Sequence, residues 1–225
     1  MLLRVFVTLL VAAALAAGAS KEEERLQRAA EVFSEVMRVS DNAIPQDLLD
    51  KAECVAIIPG AKKGAFIFGG KYGRGFVSCR KKDGVGWIGP GALRMEGFNF
   101  GLQIGGSETD LIMLVMNQTG ARRLMRSQFT IGGDAAAAAG PVGRTVTANT
   151  DAFLSAGIIS YSRSRGAFAG IALDGTTLRE DISVNKRLYG RRYSNLNLVE
   201  FQVAPPPAGE VLISLLNKHS ARKGR

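Results

Sequence analysis

The sequence is poor in the side chains that carry most enzyme chemistry. Its 225 residues hold one histidine, one tryptophan and two cysteines. The histidine, His219, sits beside the basic C-terminus, where a Ser-His-Asp or Cys-His set would have to recruit the chain end. No HExxH, CxxC or EF-hand spacing occurs, and no glycine-rich loop ends in Gly-Lys-Ser/Thr. The sequence therefore signals no metal site and no cofactor. A hydrolase would need a carboxylate pair drawn from Asp110, Asp134 and Asp151, which are scattered along the chain. The N-terminal apolar run, Val5 to Ala17, is too short for a comfortable transmembrane helix, with an uncleaved anchor as the alternative reading.

What the chain does have is positive charge and glycine. The formal net charge is +9, with 22% charged and 46% hydrophobic residues. That balance supports a buried core and an anionic partner: lipid headgroups, nucleic acid or an acidic polymer. No nucleic-acid motif is present, so nucleic acid is set aside. Residues 1–19 read as a Sec-type signal peptide: Arg4, an apolar run, then Ala17-Gly18-Ala19 as a cleavage site. The expected organisation is a signal peptide at 1–19, one folded domain at 20–220 and a basic tail at 221–225, disordered. Export implies a periplasmic or extracellular protein, peripheral to a membrane. It also permits a disulfide between Cys54 and Cys79, which both lie in strand-like runs. Two buried thiols are the alternative.

Residues 21–39 have helical spacing, with Leu26, Ala29, Ala30, Phe33, Val36 and Met37 on one stripe. The stripe either packs on a core or inserts into a membrane. A short helix follows Pro45 and carries Leu48 and Leu49. From Cys54 the texture changes to short apolar runs punctuated by glycine: CVAIIPG, GAFIFGG, GRGFVSCR and VGWIGPGAL. Residues 98–103 and 111–116 read as further strands, and LIMLVM is continuous enough to be buried on both faces. Residues 119–129 read as a helix with a basic face of Arg122, Arg123 and Arg126. Five alanines between glycine clusters permit close backbone packing. Residues 157–173 read as a hairpin turning near 164–166, and 185–190 as a short helix. A Pro-rich stretch then leads to a C-terminal amphipathic helix. The order predicts one α+β domain, with a largely antiparallel, strand-rich core flanked by N- and C-terminal helices.

Several stretches together carry a family resemblance. They are IPQDLLDKAECVAIIPGAKKGAFIFGGKYGRGFVSCR, GLQIGGSETDL, AAGPVGR, YSRSRGAFAG and NKRLYG. In this order and spacing they resemble the SYLF domain over about residues 25–220. The resemblance implies a non-enzymatic protein that binds phosphoinositides or other acidic lipids, with actin binding in some eukaryotic members. The signal peptide suggests an exported bacterial-type member, for which actin is an unlikely partner.

Candidate lipid contacts follow from the cations. Lys62, Lys63, Lys71, Arg74, Arg80, Lys81 and Lys82 fall within twenty-one residues. On paired hairpins, several would share one rim and attract anionic headgroups; solvated turns are the alternative. Arg163 and Arg165 can grip phosphate, or pair with Asp174, Glu180 or Asp181. Arg144, after a glycine-rich turn, can serve an anion-binding nest or a buried pair. Trp87 can sit at headgroup level or in the core. The runner-up reading is a cell-envelope interaction protein that binds an acidic polymer or a protein. A hydrolase with an unrecognised carboxylate site comes third.

Overall fold

The structure, a computed structural model, describes residues 19–38, 44–63, 69–99, 107–143, 156–164 and 167–222. Residues 1–18 of the expected signal peptide lie outside the described residues. So do Arg144, Asp151, Arg165, residues 100–103 of an expected strand, and residues 223–225.

Helix α1 spans Lys21–Arg38. Its start is a capping box: Ser20 Oγ accepts from Glu23 N–H, and Glu23 Oε2 accepts from Ser20 N–H. The expected stripe is buried, from Leu26 to Val36. The helix packs on the core, and ion pairs from Glu22 to Arg187 and Glu35 to Arg163 tie it down. Helix α2, Gln46–Lys51, begins directly after Pro45.

Among the described residues, nine strands form one sheet. They are β1 Cys54–Lys63, β2 Gly69–Cys79, β3 Gly91–Asn99, β4 Ser107–Val115, β5 Gln128–Thr130, β6 Ala137–Ala139, β7 Ile158–Ser164, β8 Ala167–Gly170 and β9 Thr177–Glu180. The order is β5-β9-β3-β2-β1-β4-β7-β6, and β8 also pairs with β7. All pairings are antiparallel except β6 with β7. The two ends of this order, β5 and β6, are consecutive in the chain. A short loop containing a local Ile131–Ala135 bridge connects them, so the sheet curls to bring its two ends within a loop's length of each other.

Two apolar layers follow from the strand period. Val55, Ile57, Ile112, Leu114 and Ile159 face outward beneath α1, α2 and the C-terminal helix α6, Glu210–His219. Ala56, Ile58, Leu111, Met113, Val115 and Ile158 point into the curl. Residues 111–116 are thus buried on both faces, as their unbroken apolar run predicts.

Some elements differ from expectation. Residues 81–90 form no strand beyond an Arg80–Trp87 bridge, because Gly84 and Gly86 take φ of +77° and +79°. Helix α3, Gln118–Leu124, stops early, and residues 128–130 pair as β5 instead. The expected helix at 185–190 is α4, Ile182–Tyr189, stopped by Gly190 at φ +66°. A further helix, α5 (Asn195–Glu200), opens with a Ser194/Asn197 capping box.

Candidate functional site

The strand register divides the basic run at 62–82 into two groups. Lys63 pairs with Lys71, and Lys62 with Tyr72, at the hairpin end of β1 and β2. Cys54 pairs with Cys79 at the other end, beside Arg80, Lys81 and Lys82. At about 3.3 Å per residue the two groups stand roughly 30 Å apart. The expectation of one shared rim is therefore corrected: strand length separates the cations into two poles.

At the hairpin end the surroundings are mixed. Glu108 lies opposite Lys62 and pairs with Arg28 at 3.9 Å. Arg74 donates to the Tyr72 hydroxyl and stands over its ring, across from Arg94. Arg163 is committed to Asp110, at 2.9 Å, and to Glu35. Its expected partners Asp174, Glu180 and Asp181 are not the ones it meets, because β7 lies next to β4 and under α1. Asp110 also accepts from Gly60 N–H at 2.8 Å. Gly60 has φ +59° where β1 bulges, so this carboxylate fixes the bulge. The other described candidate acid, Asp134, accepts from Thr130 N–H at 2.6 Å. Asp110 shares the Arg163 guanidinium with Glu35, which makes the three an ion-pair cluster, and no metal-ligating cluster occurs among the described residues.

The disulfide end is different. Cys54 and Cys79 are bonded to each other. Beside them opens a cleft of about 630 Å³ between the 81–84 turn, α3 and α5. Arg80, at its edge, is only 5% exposed. Its guanidinium donates to the carbonyls of Ala52, Leu49 and Ser220, donates to Ser220 Oγ, and stacks 4.0 Å from the Trp87 ring centroid. Burial, followed by repulsion from Arg222, pulls it down to about 10, still charged at neutral pH. Arg80 is thus an internal tie, and direct headgroup contact is not its geometry. Trp87, 1% exposed, is a core residue whose indole N–H donates to Ser220 O at 3.1 Å. The expected disordered tail is ordered through Arg222, which donates to the Asp50 and Lys51 carbonyls and pairs with Glu53 at 3.1 Å.

Three cations remain open on this rim. Lys81, Lys82 and Arg122 are exposed and form no ion pair among the described residues. Large apolar side chains are exposed in the same place. Leu196, 42% exposed, lines the cleft, and Val85, 40% exposed, tops the 81–86 turn. Phe201, 66% exposed, follows α5. Its neighbour Gln202 takes the left-handed φ of +48° and accepts from Lys82 N–H at 3.2 Å. Unpaired cations beside exposed apolar groups can attract an anion and bury an apolar neighbour of it. In sequence, Arg122 belongs to a basic helix face with Arg123 and Arg126. Nothing local joined it to Lys81, because α3 and the turn meet only through the sheet. Leu196 lies on a helix that carried no anticipated signal beyond its S-x-x-N cap.

Comparison with known proteins gives the chain its relatives. A family model described as Ysc84, Las17-binding protein actin regulator, matches residues 96–219. LAS seventeen-binding protein 3 of Saccharomyces cerevisiae is 32% identical over 80% of this chain and 40% of its own length. An SH3 domain-containing protein of Schizosaccharomyces pombe is 34% identical over 79% of this chain and 42% of its own. The SH3 domain-containing YSC84-like protein 1 of Mus musculus is 28% identical over 90% of this chain and 61% of its own. The chain thus spans about 40% of the length of the yeast relatives. These relatives are fungal and animal and do not bear out a bacterial-type member. Their names describe binding partners and SH3 modules rather than reactions. Motif order, sheet and matched span agree: the chain belongs to the Ysc84 family, the SYLF-domain family its motifs resemble.

Proposed function

We propose that this chain is a non-enzymatic binding module that docks on anionic phospholipid through the disulfide end of its sheet. One observation carries the reading: among the described residues, Lys81, Lys82 and Arg122 stand without ion-pair partners next to exposed Val85, Leu196 and Phe201. A cation near an anionic surface contributes about 1 kcal/mol, and an apolar side chain entering the interface adds to it. The candidates Lys62, Lys63, Lys71 and Arg74 form a weaker second surface, since Glu108 sits among them. In this reading residues 1–19 direct export, so the membrane is met from the periplasmic or extracellular side. Finding the intact N-terminus on cytosolic protein would overturn that part.

The test is sedimentation with phosphatidylcholine vesicles, with and without phosphatidylserine, over a range of salt. Binding should require the acidic lipid and weaken as salt rises. Equal binding to both vesicles would refute it.

A second reading has its own support. The family's description names Las17 binding and actin regulation, so a protein partner, actin included, suits the same exposed surface. Cosedimentation with actin filaments that is lost on charge reversal at Lys81 and Lys82, in a chain that does not bind phosphatidylserine vesicles, would favour it over lipid.

A further inference from the structure

The cleft holds more than charge. Its cations fall into two sets. Arg80 and Arg222 lie inward, and their donors are already taken by backbone carbonyls, Ser220 and Glu53. Lys81, Lys82 and Arg122 lie outward and are open. Two acids also line the cleft, and both are engaged: Glu53 by Arg222, and Asp83 by accepting from Val85 N–H at 2.9 Å. Beside Gln118, the wall left to a ligand is a continuous set of apolar groups: Ala121 and Met125 from the α3 end, Leu196 and Val199 from α5, and the Cys54–Cys79 bridge. At about 630 Å³ the space falls in the range of cavities that enclose small organic ligands, roughly 300–1,000 Å³. A headgroup alone would leave that wall wet, and a neutral apolar molecule would leave the cations unused.

We infer that the cleft seats one alkyl chain of an anionic amphiphile, with its phosphate at Lys81, Lys82 and Arg122 and its chain against Met125, Leu196 and Val199. This rests on the surface-binding reading and adds a one-molecule site to it. A membrane lipid and a free single-chain lipid share this chemistry, so the experiment separates them.

The probes are hexyl, octyl and decyl phosphate below their micelle concentrations, with inorganic phosphate and decanol as controls. Titration calorimetry on the intact chain reads affinity and stoichiometry. One alkyl phosphate should bind per chain, with affinity rising up to about fourfold per added methylene and levelling once the cleft is full. Both controls should bind at least about tenfold more weakly than decyl phosphate. Ala121→Phe fills the cleft and should weaken decyl phosphate about tenfold, while vesicle binding stays within about threefold. Leu196→Ser, at a position 42% exposed, gives a second variant with a smaller folding burden and should weaken it several-fold. Three results would overturn the inference: decyl phosphate binding no tighter than inorganic phosphate, affinity rising with chain length without levelling, or neither variant changing it. Vesicle binding that persists in those cases leaves the surface reading intact. Loss of vesicle binding by the wild-type chain removes both.

Discussion

Arg80 and Lys81 are neighbours in sequence and opposites in role. Arg80 is buried against three carbonyls and the Trp87 ring, while Lys81 is open to solvent. Replacing Arg80 with methionine keeps the volume but strips those carbonyls of their donors. Urea unfolding should show a loss of about 2–4 kcal/mol, with little change for Lys81→Met. A loss below about 0.5 kcal/mol would contradict the internal role. Nothing in the sequence distinguished the two, because Leu49, Ala52 and Ser220 reach Arg80 only through the tertiary fold. Asp181 offers a second test. It caps α4 through the Val184 N–H. Burial alone would raise its carboxyl, but the Ser183 hydroxyl, the Val184 amide, Arg94 and Arg74 outweigh that and hold it below the usual range. A depressed carboxylate stabilises the fold above its unfolded-state value, and the stabilisation fades as pH falls through the folded one. Asp181→Ala should therefore cost about 1–2 kcal/mol at neutral pH. The difference should shrink below roughly pH 4. A cost independent of pH would show that the charge is irrelevant.

Among elements, the strands were the most legible. Glycine punctuation and apolar alternation located β1, β2, β4 and the β7–β8 hairpin, since a strand declares its faces at every second residue. Parallel β6 was not foreseen, because three alanines carry no pattern. They lie flat against β7 where Gly140 meets the Tyr161 ring so closely that a Cβ would stand 2.1 Å from it. Gly140 of the motif AAGPVGR is here a packing device, and Gly140→Ala should destabilise by about 1–3 kcal/mol in thermal or urea unfolding. α5 escaped notice because six residues show too little periodicity to separate helix from loop. The disulfide was left open by sequence and follows from register, since Cys54 and Cys79 are directly paired. Closing a loop across 25 residues, it should contribute about 2–4 kcal/mol. Replacing both cysteines with serine, or adding a reductant, should lower the unfolding midpoint accordingly. No shift in either case would mean that the strand pairing alone holds this end.

For the whole molecule, net charge was legible and its placement was not. A total of +9 says that an anion is welcome. Only the curled sheet shows that the basic run at 62–82 occupies two opposite ends, one facing Glu108 and one beside a cleft, its lining acids Glu53 and Asp83, and three exposed apolar side chains. The central claim is that the disulfide end meets the membrane. The direct measurement is vesicle affinity of two charge-reversed variants of similar total charge, at fixed salt. Lys81→Glu with Lys82→Glu and Arg122→Glu should weaken binding to phosphatidylserine vesicles by about a hundredfold, at roughly 1 kcal/mol per lost cation. Lys62→Glu with Lys63→Glu and Lys71→Glu should weaken it by less than about tenfold. Equal losses, or a larger loss at the hairpin end, would contradict the account.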